Sequence, residues 1–427
     1  MATIHDTNTT LNSLFFKPLS DIYAGSLRQY SCTSISDLDF AKLGVLRCVS
    51  HAKTGQQFLQ HHADQGREDI DPGHFFKTLQ SKRRLANLSS LNELLRGTMA
   101  NELPDPFAAF KELSGYDIYA GDGHYHHAAA FDPKPATSTG KSNATGHFFR
   151  LDMRSHHLGH IDLGVPDYGK KRTHDITVIK LATTATLRNN APKGRKILYV
   201  WDKACIDYGM WSHLKHTAGI YFITREKSNS AATISSANLI DPTDPRNEGI
   251  ESEHFVSPSY GEALRRITYT DPADGTTYVC LTNEMKIPAH QLVVIYKQRW
   301  DIEKVFHQLK SKMEERKSWA SSESAKRHHA LFECLAHNLC LLMELEMNSR
   351  GLRDEVEAKK SKGREGSRRN RQGEAMEKAT NFIGKAITRA SQRTVRFIRW
   401  LQAALYHQGS LSEAMAMLKR VWYHKKS

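Results

Sequence analysis

Apolar residues in the first 112 positions recur at helical spacing, as in Leu43 to Leu46, Phe58 to Leu59 and Leu88 to Leu95, with few β-branched runs, which predicts a helical region over 1–112. Inside it, Asp69-Ile70-Asp71-Pro72-Gly73 reads as a helix start, a capping Asp ahead of Pro, leading into HFFKTLQSKRRLANL. Phe75, Leu79, Leu85 and Leu88 would face a core, and Lys77, Lys82, Arg83 and Arg84 would face outward. From about residue 113 the period shortens. YDIYAGDG, HHAAAFDP, GHFFRLDM and HIDLGV are short β-type runs separated by turn residues, as in an antiparallel meander. KILYVWD and GIYFITR follow as buried strands around the helically spaced KACIDYGMWSHLKHT. The strand-rich start followed by β-α-β is the order of an RNase H-like core, here 113–226 and 289–347.

Between these two parts, residues 227–288 exceed what a loop requires. A strand, a short loop and a helix need about 30 to 40 residues, whereas Asp202 and Glu303 are 101 apart. RRITYTD and TTYVCLTN alternate around Asp271-Pro272-Ala273-Asp274-Gly275, which predicts an inserted β-subdomain. Residues 348–374 are rich in Lys, Arg, Gly and Ser without apolar periodicity and read as a basic flexible linker. Helical spacing returns in 375–427. Its apolar face, Phe382, Ile383, Ile387, Val395, Ile398 and Leu401, suggests dimerisation. The expected fold is therefore α/β, with a β insertion and helical flanks.

Charge narrows the partner. Sixty Lys and Arg against 46 Asp and Glu leave a net charge of +14, which favours a polyanion. Six cysteines form no C-x-x-C pair, so free thiols in a reducing compartment are expected. The N-terminus lacks the n- and h-regions of a leader and no apolar run approaches a membrane span, so a cytoplasmic location is expected.

The chemistry concentrates in YKQRWDIEKVFHQLK. On one helix, Tyr296, Arg299, Glu303 and Lys310 would fall within roughly 60° of one another, with Ile302, Val305, Phe306, Leu309 and Met313 on an adjacent stripe. A carboxylate able to hold a divalent cation would then lie among a guanidinium, an ammonium and a phenol suited to phosphate oxygens, which points to phosphodiester chemistry. Arg299 and Glu303 at i,i+4 also fit an ordinary solvated ion pair. Two further carboxylates follow from position: Asp122 after YDIYAG and Asp202 at the end of KILYVW. Either alone would read as a turn-capping Asp, but the order strand-Asp, strand-Asp, helix-Glu suits metal-dependent phosphoryl transfer.

This stretch resembles the Tyr-Arg-Glu-Lys signature of a family of bacterial insertion-sequence DDE transposases, with Trp300 and Ile302 also of the expected type. The resemblance runs roughly from Gly115 to Glu346. It places the catalytic, metal-binding triad on Asp122 in AGDG, Asp202 in VWDKACIDY, and Glu303. It implies two Mg2+ ions, with Mn2+ as a substitute, and double-stranded DNA as partner, in the form of the element's terminal inverted repeats and target DNA. A homodimer on DNA and a nucleoid-associated bacterial protein follow from the same resemblance. The remaining DNA contacts would come from Tyr296, Arg299 and Lys310, from Arg225 and Lys227 in FITREK, and from a helical end-binding region carrying Lys82, Arg83 and Arg84. One departure is His124, with His126 and His127, where relatives commonly have Ser or Thr after the D-G pair. H-x-H-H on an alternating strand points to both faces, so a hydrogen-bonding or phosphate-contacting role for His124 is favoured over zinc. Asp117 and Asp207 are rival carboxylates expected to be structural. Relatives that excise through a hairpin use an aromatic wedge, often Trp, from the insertion; this insertion has no Trp, leaving Phe255, Tyr260, Tyr269 and Tyr278. An endonuclease that does not join strands, and an inactive DNA-binding descendant, remain the alternatives.

Overall fold

A computed structural model describes residues 9–28, 30, 34–50, 52, 54–127, 129, 131–132, 145–164, 175–227, 233–258, 261–313, 318–349, 381–386 and 395–423. The expected linker at 348–374, Cys32, Tyr260 and Ile387 thus lie almost wholly outside it, residues 348 and 349 excepted.

The N-terminal helices are α1 Leu11–Gly25, α2 Asp37–Cys48, α3 Gly55–Asp64, α4 Pro72–Thr78 and α5 Lys82–Glu102. Each starts on a polar cap. Asp71 accepts from His74 N with Pro72 at the first position, and Ser81 accepts from Arg84 N to open α5. KRR therefore begins a separate helix. Arg83 and Arg84 both pair with Asp37 of α2, and Arg84, 6% exposed, donates to Ile35 O at 2.7 Å. That corrects the outward-facing expectation for Arg84, because α5 packs against α2 on that side.

Nine strands form one sheet in the order β3-β2-β1-β4-β5-β9-β8-β7-β6. β1 Tyr116–His126, β2 Thr145–Asp152 and β3 Leu158–Gly164 are the antiparallel meander, while β4 Lys196–Val200 and β5 Ile220–Arg225 run parallel to β1. HHAAAFDP is not a strand of its own: β1 absorbs its first histidine and the described residues beyond it are irregular. The strands of the insertion, β6 Thr233–Asn238, β7 Ile250–Ser257, β8 Leu264–Thr270 and β9 Thr277–Thr282, do not make a separate layer. β9 pairs antiparallel with β5, so they lengthen the same sheet and cover its edge.

Alternation along β1 sets the two sides of the sheet. Ile118 and Ala120 join a core with the N-terminal helices and with α9 Ala289–Gln298, α10 Trp300–Lys312 and α11 Glu323–Ser349. Tyr119 faces the other way, into a smaller core with Trp201, Trp211 and the helices α6 Asp175–Leu181, α7 Thr184–Arg188 and α8 Tyr208–Ala218.

The C-terminal segment folds as α12 Phe382–Ala386, α13 Val395–Tyr406 and α14 Leu411–Tyr423. Ile383, Ile398 and Leu401 are buried in the chain's own core. Asn12 donates to Leu405 O, and the Trp400 indole donates to Ala414 O at 2.8 Å. Three residues of the apolar face expected to meet a second copy are thus covered from within, while Ile387 and the Val395 side chain lie outside what is described. Among the described residues, no helix is long and apolar enough to cross a membrane, and the five described cysteines are buried.

Candidate active site

Asp122 lies within β1, not at its end, because the strand continues through the flanking glycines. Those glycines serve close approach. A Cβ on Gly121 would sit 2.1 Å from the Trp201 ring, and one on Gly123 would sit 2.2 Å from Asp175 Oδ1. Gly121 therefore admits Trp201 against β1, and the next residue, Asp202, is delivered beside the strand. Asp202 opens a 3-10 turn at Lys203–Cys205 without a capping bond from its side chain, so the turn-capping role does not occupy its carboxylate.

The third carboxylate comes from α10. Tyr296 and Glu303 do not share one unbroken helix: α9 ends and α10 begins at Arg299, where Arg299 N donates to Tyr296 O and Ile302 N to Arg299 O in tight i,i+3 bonds. Below this joint, Ile302, Val305, Phe306, Leu309 and Met313 are all buried, as their spacing predicts. Arg299 is 7% exposed, which removes it from the class of solvated surface pairs. Its Nη2 donates to Glu303 Oε1 at 2.8 Å while Nη1 lies 3.6 Å from Asp122 Oδ2. One guanidinium thus bridges two of the three predicted carboxylates.

Asp122, Asp202, Glu303, Tyr296, Arg299 and Arg225 line one cavity of about 610 Å³. Of the three other carboxylates in its wall, Asp271, Asp274 and Asp301, the first and last are paired with Lys297 and Lys304. Burial pushes the Asp122 carboxyl up to about 7; Arg299 and the Gly123 N–H pull it down, and Asp175 and Glu303 push it further up. Asp175, Asp122 and Asp202 also reinforce the effect of burial in raising the Cys205 thiol, so all three lie within electrostatic reach of it. Arg299 is affected in the opposite sense. Burial disfavours its charge, but Asp122, Tyr296 and Glu303 outweigh burial and raise its pKa. Burial takes the Tyr296 phenol to about 12, so it stays a proton donor.

The donor set fits hard divalent cations, since it is built of carboxylate oxygens and burial raises the pKa of one of them, a cost that a bound cation offsets. Asp175, at the start of α6, was not singled out by sequence. Its signal is an acid ahead of the apolar run ITVIKL, which any helix start gives. Lys310 and Lys227 are exposed and outside the cavity wall, and Lys82 is exposed at the start of α5. Asp117 pairs with Arg195 at 2.7 Å, and Asp207 caps α8 through Met210 N, both structural as expected.

Residues 141–339 match the family model described as "Transposase DDE domain". The match includes Asp175, Asp202, Tyr296, Arg299, Glu303 and Lys310 and begins after Asp122, whose place in the site rests on geometry. A relative from Sinorhizobium fredii (strain NBRC 101917 / NGR234), named "Putative transposase y4zB", is 30% identical over 186 residues. That alignment covers 41% of this chain and half the length of the relative. Among solved structures, the piggyBac transposase synaptic complex with hairpin DNA aligns over 97% of this chain and 83% of its own, at 13% identity and a TM-score of 0.37.

Proposed function

We propose that this chain is a DNA transposase that cleaves strands at the ends of an insertion sequence and joins them to target DNA, using Asp122, Asp202 and Glu303. The observation that carries the reading is their convergence from β1, the end of β4 and α10 on one cavity, with Arg299 between two of them. The sheet order β3-β2-β1-β4-β5, with β4 and β5 parallel to β1, supports an RNase H-like core. The match to the transposase DDE domain over 141–339 supports the reaction class.

The three carboxylates would hold two Mg2+ ions, or Mn2+, and Asp175 would add negative charge behind them. Bound there, the cations supply Lewis acidity to both the attacking and the departing oxygen of an in-line displacement. The chain's own groups do the rest. Arg299, deprived of carboxylate partners when cations take them, offers its fork to a phosphate, and Tyr296 and Arg225 donate from the same wall. Lys310, Lys227 and Lys82 would hold DNA outside the cavity. Arg83 and Arg84, tied to Asp37, stabilise the helices behind them. Two DNA ends imply two copies of the chain, paired through a surface other than the buried face of α12 and α13.

The test is incubation of the purified protein with DNA carrying the element's ends and Mg2+ or Mn2+. Asp122→Ala, Asp202→Ala and Glu303→Ala should each abolish cleavage while leaving end binding nearly intact. Normal cleavage by any of them removes that residue from the site, and nicking without joining by the unaltered protein makes it an endonuclease.

A further inference from the structure

Past Asp122, β1 carries His124 and His126 on the same face, both buried. The His124 ring stacks on Phe306 of α10 at 4.6 Å, and His126 reaches under α11. There His126 Nε2 lies 3.0 Å from Glu333 Oε2, and His329 Nε2 lies 3.2 Å from Glu333 Oε1. Their ligand atoms all fall within 4.8 Å of one another. His329 and Glu333 are four apart on α11 and so present one face to the strand.

We propose that His126, His329 and Glu333 form a buried structural site for a divalent transition metal, Zn2+ first, with the His147 ring packed beside it. Two imidazoles and a carboxylate are a donor set that zinc accepts and that Mg2+ or Ca2+, which take oxygen, does not favour. Tetrahedral zinc with bonds near 2.0–2.1 Å holds its ligand atoms roughly 3.3 Å apart, and each imidazole already lies 3.0–3.2 Å from one oxygen of Glu333. His147 stands 4.3 Å from His126, ring to ring. Its Nδ1 lies 3.1 Å from His160 Nε2, which fixes the ring, and among the described residues its buried Nε2 has no hydrogen-bond partner.

The three residues are buried and none of them lines the cavity of Asp122, Asp202 and Glu303, so the site is structural. It would pin β1 to α11 four residues beyond Asp122 and thereby fix the strand that carries the first catalytic carboxylate.

The test uses untagged full-length protein, stripped with chelator and exchanged into Zn2+ or Co2+, with metal content as the readout, so it is independent of DNA cleavage. About one metal per chain should survive desalting in excess Mg2+, and Co2+ should give the visible bands of a tetrahedral site. His126→Ala and His329→Ala should lower affinity by more than the roughly 10–100-fold expected for His160→Ala, which acts only through the neighbouring His147 ring. His124→Ala should retain the metal, which controls for general unfolding of the strand. Failure of the unaltered protein to retain Zn2+, or equal retention by His126→Ala, would reduce the cluster to an ion-paired histidine network and overturn the proposal.

Discussion

Asp122→Asn removes a charge that the folded protein tolerates poorly and should therefore stabilise the metal-free chain at alkaline pH. The ordinary aspartate value is 3.8 and burial lifts Asp122 to about 7. The folded state thus binds a proton that the unfolded state has released between those values, and stability falls as pH rises through that window. Three units at about 1.36 kcal/mol each give a ceiling near 4 kcal/mol above pH 7. The side chain keeps 19% of its surface exposed, and water relaxes part of the penalty, so about 2–3 kcal/mol is the expectation. Arg299 does not reverse the sign, because its attraction is already included in the net shift. Asparagine can still accept from Gly123 N, as Asp122 Oδ1 does at 2.8 Å. The assay is urea denaturation of both proteins in chelator from pH 4 to 8.5. Titrating groups that do not interact with Asp122 cancel in the difference, which should shrink by up to about 1.4 kcal/mol per pH unit from 7 down to 4. Mg2+ at pH 8 should then stabilise the unaltered protein and leave the variant nearly unmoved. A variant no more stable than its parent at pH 8, or a difference independent of pH, would refute the burial of an under-compensated carboxyl at this position.

The opposite perturbation, Arg299→Ala, leaves Asp122 and Glu303 without their shared cation and should destabilise the metal-free protein by about 3 kcal/mol at pH 8 and less at pH 5, read by the same denaturation. Lys310→Ala should leave stability unchanged and flatten the dependence of log K for end DNA on log salt by about one unit; an unchanged slope would take Lys310 off the DNA. Gly121→Ala drives a methyl into the Trp201 ring and should cost about 1–3 kcal/mol in melting experiments while slowing cleavage by displacing Asp122 from Asp202. Arg84→Ala exposes Asp37 to burial with one partner fewer and should lower stability by about 3 kcal/mol with no change in salt slope, whereas Lys82→Ala should do the reverse.

What the sequence could reveal depended on how locally each feature is encoded. The apolar stripe of α10, the paired runs that became β4 and β5, and the Asp71-Pro72 start of α4 all rest on residues within one or two turns or a single strand, and all appear where their spacing puts them. The break at Arg299 left no such mark: the side chain at the joint reaches Asp122, a residue 177 positions earlier, and no local period encodes that contact. The same limit hid Asp175. It reaches Gly123 from the opposite face of the sheet, and only the missing Cβ there makes room for it. The histidines show the limit most clearly. His124, His126 and His127 stand out as a cluster, yet the groups that give His126 a chemistry, His329 and Glu333, are 203 and 207 residues away on α11. A tertiary site assembled from one strand residue and two helix residues has no period to detect. It does have a physical consequence that periodicity lacks: the strand that carries Asp122 is held at its far end by the His126–Glu333–His329 cluster, and by Phe306 stacking on His124 in between. The Asp122 carboxylate and the buried cluster therefore share one element, so a change at either His126 or Arg299 should be felt through β1 at the other.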